Sequence, residues 1–281
     1  MKIEGWMYYN HAAIPTGAPH EVPNLAPIQN GDIWKLDGAP LLARWTDTFD
    51  CKEETNWWYV LADAPLDISS LKAKRRYVIN RGNQNFEVKL IDSMLHMEEL
   101  YRVQADAFMA YPAKYRPTVD KQKFFRSLEA IAEHKDSIKL FGAFYRETGE
   151  LCGYARVQFN NGCAALQVLK TKPDFEKHQV NAALVYGVMK ELEPFLNTGG
   201  YIADGARSIN HESSFQDYLE KYFSFRKAYC KLHVCYSPRI RAIVNILYPF
   251  RKVLLKLDAI NLIHQINGVL KMEEIVRNAE Q

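Results

Sequence analysis

Between Tyr201 and Val234 the chain reads YIADGARSINHESSFQDYLEKYFSFRKAYCKLHV. Asp204, Arg207 and His211 crowd the turn that follows an apolar run, and Tyr218 comes soon after. A carboxylate and an imidazole are groups that accept or give protons near neutral pH. A guanidinium holds negative charge, and a phenol carries a proton it can donate. These four are the candidate catalytic residues. The same residue types also build turns and caps. Asp-Gly after a strand is a common turn. Arg207 can pair with Asp204 or Glu212. His211 can cap or line the next helix, and Ser213 or Ser214 can N-cap a helix running through Phe223.

A second group of polar residues lies upstream. Gln167, Lys170 and Thr171 end an apolar strand, and Lys172, Lys177, His178 and Asn181 surround the start of the helix after it. Lysine and histidine beside the free amides of a helix start suit phosphate. We therefore take Lys170, Thr171, Lys172, Lys177, His178 and Asn181 as candidate cofactor-binding residues. KAKRRYVINR concentrates Lys72, Lys74, Arg75, Arg76 and Arg81. It reads either as a solvated basic face or as a contact for a nucleotide, lipid or tRNA phosphate. RIRAIVNILYPFRKVLLKL sets Arg239, Arg241, Arg251, Lys252 and Lys256 against an apolar side. That pattern suits an anionic membrane surface, or packing on the domain or a second copy.

The elements that position these groups follow from periodicity. Residues 1–65 read as irregular, and Pro15, Pro19, Pro23 and Pro27, recurring every fourth residue in IPTGAPHEVPNLAP, exclude a helix there. The extended pieces PLLARWTDTF and NWWYVLAD interrupt this region. Trp57 and Trp58 point to opposite faces of the second, so at most one lines a pocket. Asp67 reads as the cap of a helix through Asn80 that Gly82 ends, and Phe86–Ile91 as a strand. Ser93 caps a helix stopped by Pro112, and Thr118 starts another. IKLFGAFYRETGELCGYARVQFNNGCAALQVLKTKP reads as three antiparallel strands with turns at Glu147–Gly149 and Asn160–Gly162. EKHQVNAALVYGVMKELEPFL is a helix ended by Gly199 and Gly200. Beyond Pro238 the chain is helical, interrupted by Pro249.

Of 281 residues, 48% are hydrophobic and 25% charged, the balance of a folded protein with a real core. A net charge of +3 does not by itself call for nucleic acid. MKIEGWMYYNHAAIP lacks the basic and apolar segments of a secretory signal, and no run approaches the ~20 apolar residues of a membrane span. The five cysteines have no metal-like spacing. They read as buried free thiols, with Cys152 and Cys163 near each other across a turn and Cys230 and Cys235 on opposite faces of a strand. The expected location is cytoplasmic, with room for contact with the inner face of the membrane.

From Phe86 onward the order is strand, two helices, three antiparallel strands, helix, strand, helix, strand. This resembles the GNAT acyltransferase superfamily over about residues 86–236. LKAKRRYVINRGNQNFEV is similar to the segment preceding the domain in FemAB-like aminoacyl transferases. NAALVYGVMKEL with GGYIADGARS, and YLEKYFSFRKAY, resemble its later helices and strand. The resemblance implies an α+β (mixed α/β) fold, with a central, mostly antiparallel sheet flanked by helices. It divides the chain into an N-terminal extension (1–85), an acyltransferase domain (86–238) and a C-terminal helical segment (239–281). It implies transfer of an acyl or aminoacyl group to an amine, with donor binding and chemistry where the last strand of the meander diverges from the next. The implied donor is acetyl-CoA or another acyl-CoA, or charged tRNA, with no metal. The implied acceptor is a small molecule or a lipid-linked envelope precursor. The glycine-bearing loop that such enzymes use for pyrophosphate is absent from PDFEKHQVNAAL, and the usual tyrosine is not in register in YLEKYFSF. These departures leave a second expectation open: a GNAT-fold binding protein without catalysis, at a membrane surface.

Overall fold

A computed structural model describes residues 1–113, 116–209 and 214–279. The chain is a mixed α/β protein, with ten mostly antiparallel strands among the described residues. It divides into two compact units. The first comprises Met1–Val60, Ala206–Phe215 and Lys227–Gln281; the second comprises Leu61–Gly205 and Gln216–Arg226. Both are discontinuous in sequence.

The first unit begins with a hairpin, β1 (Trp6–Tyr9) and β2 (Ala12–Pro15). Its two turn residues, Asn10 and His11, have φ of 46° and 64°, as a tight hairpin whose twist matches its strands requires. Residues 1–65 are therefore more regular than the proline spacing implies. A single helical turn, α1 (Ala26–Gln29), even includes Pro27, which sits in the first turn where no N–H is needed. β3 (Leu42–Cys51) pairs parallel with β2 and antiparallel with β10 (Arg226–Tyr236), and β4 (Trp58–Ala62) follows in the order β1-β2-β3-β10-β4. Buried Ala12, Leu42, Trp57, Leu232 and Tyr236 meet Val244 of α8 (Pro238–Leu247) and Leu270 of α10 (Asn261–Ala279). Pro249 breaks the path between them, leaving only the short α9 (Arg251–Leu254). Cys230 is buried and Cys235 half-buried.

In the second unit, Asp67 caps only a 3-10 turn, Ile68–Ser70, accepting from the Ser69 amide at 2.8 Å. α2 then runs from Ala73 to Asn85, straight through Gly82. Gly82 is not a terminator: it is buried where α2 lies against α5 (Val180–Glu191), and a Cβ there would come within 2.9 Å of the Gln179 carbonyl and the Ala183 amide. Gly82→Ala would gain about 1 kcal/mol of helix propensity. The contact is with backbone that cannot rotate away, so we expect a net loss of about 1 kcal/mol in urea titration.

β5 (Phe86–Ile91) pairs antiparallel with β6 (Ile138–Tyr145), β6 with β7 (Leu151–Asn160) and β7 with β8 (Cys163–Thr171). α3 (Met97–Met109) and α4 (Lys121–Glu133) bury Leu100, Val103, Leu128 and Ile131 against Leu140 and Leu151 of this sheet. Both start later than the sequence suggests. Ser93 does not cap: its hydroxyl is buried and donates to the Leu128 carbonyl at 2.9 Å. Asp120, not Thr118, caps α4, accepting from the Lys123 amide at 3.0 Å. The register places Cys163 opposite Asn160, while Cys152 lies at the far end of the same pair, so these thiols are not neighbours. α6 (Glu193–Asn197), β9 (Tyr201–Ala206) and α7 (Ser214–Phe223) complete the chain path.

Candidate functional site: the splayed end of two strands

β8 and β9 run parallel but pair over only three positions: Cys163 with Tyr201, Ala164 with Ile202 and Ala165 with Ala203. Beyond these the strands separate, although β8 continues to Thr171. Two local features turn them apart. On its other edge β8 carries a bulge: Val157 pairs with Leu166 and Arg156 with Val168, which leaves Gln167 unpaired. A bulge bends its strand and increases its twist. On β9, Gly205 has a φ of 104°, which side chains other than hydrogen tolerate poorly. The backbone edges inside the opening therefore have no ladder partner on the facing strand, as a bound extended group would require.

Asp204 is the first residue of β9 past the paired positions. It is half-buried, and burial pushes its carboxyl up to about 7, while a hydrogen bond from the Gln216 side chain on α7 pulls in the opposite direction. A carboxylate in this range is suited to accept a proton at physiological pH.

The remaining candidates are distributed around and away from this opening. Lys170 pairs across from Tyr154, and its ammonium sits 5.2 Å from the Phe108 ring and 5.5 Å from the Tyr111 ring. Its Nζ also donates to the Tyr111 hydroxyl at 3.3 Å. Thr171 donates to the Asn181 side-chain oxygen at 2.9 Å, tying the end of β8 to the first turn of α5. Lys172 is occupied by Glu150 at 2.5 Å and Asp106 at 3.8 Å. Lys177 is exposed. His178 packs near the Tyr145 ring and, with Tyr77, Asn80, Arg81, Gln84 and Asn85, lines a surface pocket of about 410 Å³. That pocket joins the basic helix α2 to the approach to α5. The α5 N-cap, Gln179, is left-handed with φ of 68° and makes no side-chain cap. The first amides of α5 therefore lack intrahelical acceptors.

The Tyr218 ring lies 4.9 Å from that of Tyr222 at a tilt of 40°, and burial holds its phenol above the usual range. Two residues from Gln216 along a helix, it points to a different side of α7. Arg207 belongs to the first unit, where it donates to the Asn56 carbonyl at 2.7 Å and lies 4.3 Å from the Trp58 ring. His211 lies outside the described residues, as do Glu212 and Ser213.

Sequence reading missed Arg156. It shares a face with Tyr154 and Lys170, next to the bulge. Its Nε is buried without a hydrogen-bond partner, and burial lowers its pKa. Tyr154 beside it donates to Gln104 of α3 at 2.6 Å. The available signal was a lone arginine in the alternating strand LCGYARVQFN, since a charge at a half-buried position needs a reason. Among the described residues no group of three or more His, Cys, Asp or Glu is placed to hold a metal ion. No described helix is long and apolar enough to cross a membrane.

Two helices before a three-strand meander, then a helix and a strand that splays from the meander, define a GNAT-like fold. Structure comparison finds solved structures similar to this chain at low sequence identity. A conserved protein of unknown function from Bacteroides thetaiotaomicron VPI-5482 superposes with a TM-score of 0.50 at 13% identity, covering 80% of this chain and 79% of its own. L-PGS from Bacillus licheniformis matches at 0.49 and 11% identity (86% and 83% covered), and FemX at 0.47 and 9% (73% and 74%). At these identities the likeness is one of fold alone. No protein-family model matches the sequence, and no curated protein does.

Proposed function

We propose that the second unit transfers an acyl group from a thioester or ester donor to an amine, with Asp204 as the general base. The observation that supports this reading is the opening between β8 and β9 with a half-buried carboxylate, raised by burial, at its mouth. The amine nitrogen attacks the donor carbonyl carbon. Asp204 takes the proton the nitrogen loses, and the bond from carbon to the leaving sulfur or oxygen breaks. A leaving thiol departs as thiolate and recovers its proton from solvent. Backbone N–H groups freed by the Gln167 bulge are suited to steady the developing oxyanion. Arg156 and Lys170 supply positive charge on one face of β7 and β8.

The donor is either an acyl-CoA or a charged tRNA. The exposed Lys72, Lys74, Arg76 and Arg81 on and before α2 favour a donor rich in phosphate. The acceptor is a small-molecule or lipid-linked amine. Calorimetry against acetyl-CoA and longer acyl-CoAs, followed by thiol release with a panel of amines, tests the first donor. Transfer from charged tRNA, with charge reversal at Arg76 and Arg81, tests the second. Absence of binding and turnover with both donors would remove the reading and leave a binding protein of this fold.

A further inference from the structure

The segment from α8 to the start of α10, in the first unit, carries two sets of apolar side chains. One set faces inward. Val244 is buried, and Leu247, Tyr248 and Leu254 pack against the same core as Tyr236 and Leu270. This set holds the segment on its unit. The other set faces outward. Ile243, Ile246, Phe250, Val253, Leu257 and Ile260 are each 47–66% exposed. They lie on α8, on α9, on the 3-10 turns that flank α9, and just before α10. A lone exposed apolar residue needs no explanation, but a series of large ones on one segment marks a contact surface.

The charge on this segment has one sign. Arg239, Arg241, Arg251, Lys252 and Lys256 fall between residues 239 and 262, and Asp258 is the one acid among them. Asp258 is already engaged. It accepts from the Asn267 side chain at 2.7 Å and pairs with His264 at 2.8 Å, and these bonds hold its carboxyl below the usual range. On α10, Glu274 pairs with Arg251 at 2.9 Å and Glu273 with Arg277 at 2.7 Å. Arg239, Arg241, Lys252 and Lys256 are exposed and leave the surface positive. Apolar side chains interleaved with cations suit the interface of an anionic bilayer. The apolar groups enter the boundary between headgroups and chains, and the lysine stems reach back to phosphate. A second copy of this chain suits the surface less well, because a two-fold contact would set the same cations against their own copies.

We propose that the segment from α8 through α9 docks the first unit on an anionic lipid surface, with Phe250 and Val253 in the interface and Lys252 and Lys256 on lipid phosphate. At ten and four residues, α8 and α9 are too short to span a bilayer and lie along it. The proposal stands apart from acyl transfer, because binding is read without turnover. The test is co-sedimentation of the full chain with vesicles of equal parts phosphatidylglycerol and phosphatidylcholine, against vesicles of phosphatidylcholine alone. The unaltered chain should bind the first at least about tenfold more tightly than the second. Lys252→Glu with Lys256→Glu should weaken binding to the anionic vesicles by about tenfold or more. Phe250→Gln with Val253→Gln leaves the charge unchanged and should weaken it by about as much. All four positions are exposed, so none of these changes removes a core contact. Equal binding to both kinds of vesicle, binding to neither, or failure of either double substitution to weaken binding to the anionic vesicles would each overturn the proposal. A dimer in analytical ultracentrifugation that Phe250→Gln with Val253→Gln dissociates, in a chain that binds no vesicle, would assign the surface to a second copy instead.

Discussion

Asp204→Asn is expected to lower kcat/KM for acyl transfer by about 10²–10⁴-fold, the usual contribution of a general base, while making the protein more stable at pH 8. The two effects have one cause. In the unfolded chain the carboxyl titrates near 3.8, and in the fold near 7. Between those values the folded state holds a proton that the unfolded state has lost. The contribution of Asp204 to stability is therefore fully present below about pH 4 and is lost as pH rises through 7. Above that, the fold carries a half-buried charge. Asparagine has nothing to ionise and can still accept from Gln216. Discounted for partial exposure, the gain is on the order of 2 kcal/mol at pH 8 and nothing at pH 4. Urea titrations of both proteins at the two pH values read it directly. The rate carries the same signature. With wild-type protein kcat/KM should rise with pH through about 7, because the base must be ionised, and that step should vanish in the asparagine variant. Loss of activity together with loss of stability would make Asp204 a structural residue.

Gly187→Ala is expected to be the most damaging small substitution in the second unit. Gly187 lies mid-helix in α5, where alanine should gain about 1 kcal/mol. A Cβ there would lie 2.4 Å from both Cβ and Cγ1 of Val88 on β5. Neither side can give way easily. Valine is stiff about χ1, and Val88 is held in register opposite Ala143 of β6. Overpacking of this kind costs about 1–3 kcal/mol and occasionally more. With an overlap this deep the cost exceeds the propensity gain, and we expect a net loss of about 2 kcal/mol in urea. Val88→Ala in the same chain should recover part of it, since it removes Cγ1 and leaves the Cβ contact. A stabilised Gly187→Ala protein would show that α5 and β5 are not this close. The same shift would move the Asn181–Thr171 link at the end of β8, so activity should fall with stability.

Much of the second unit was legible from local pattern. Phe86–Ile91, the three-strand meander and the helix after it follow from period-two and period-3.6 alternation, which a chain carries without reference to its neighbours. Helix starts were less legible. Ser93 and Thr118 have the chemistry of caps, but the Ser93 hydroxyl is used by Leu128 across the fold and Asp120 lies nearer the true start of α4. The N-terminal hairpin escaped notice because two consecutive positive φ values, at Asn10 and His11, are not written in the proline spacing.

By itself, then, the sequence determined the order of elements, the apolar faces and a short set of polar residues that included Asp204. Only the tertiary structure decided the surroundings of each residue. Gly82 could end a helix or admit a neighbour, and the presence of α5 chose the second. Asp204 follows a strand as an ordinary turn carboxylate would, and burial pushes its carboxyl up to about 7. Arg207 stood three positions from Asp204 in the chain, yet its carbonyl and aromatic partners, Asn56 and Trp58, lie in the first unit. The physical reason is common to all three: desolvation, close approach and charge pairing depend on groups brought together from distant parts of the chain, and local periodicity does not contain them.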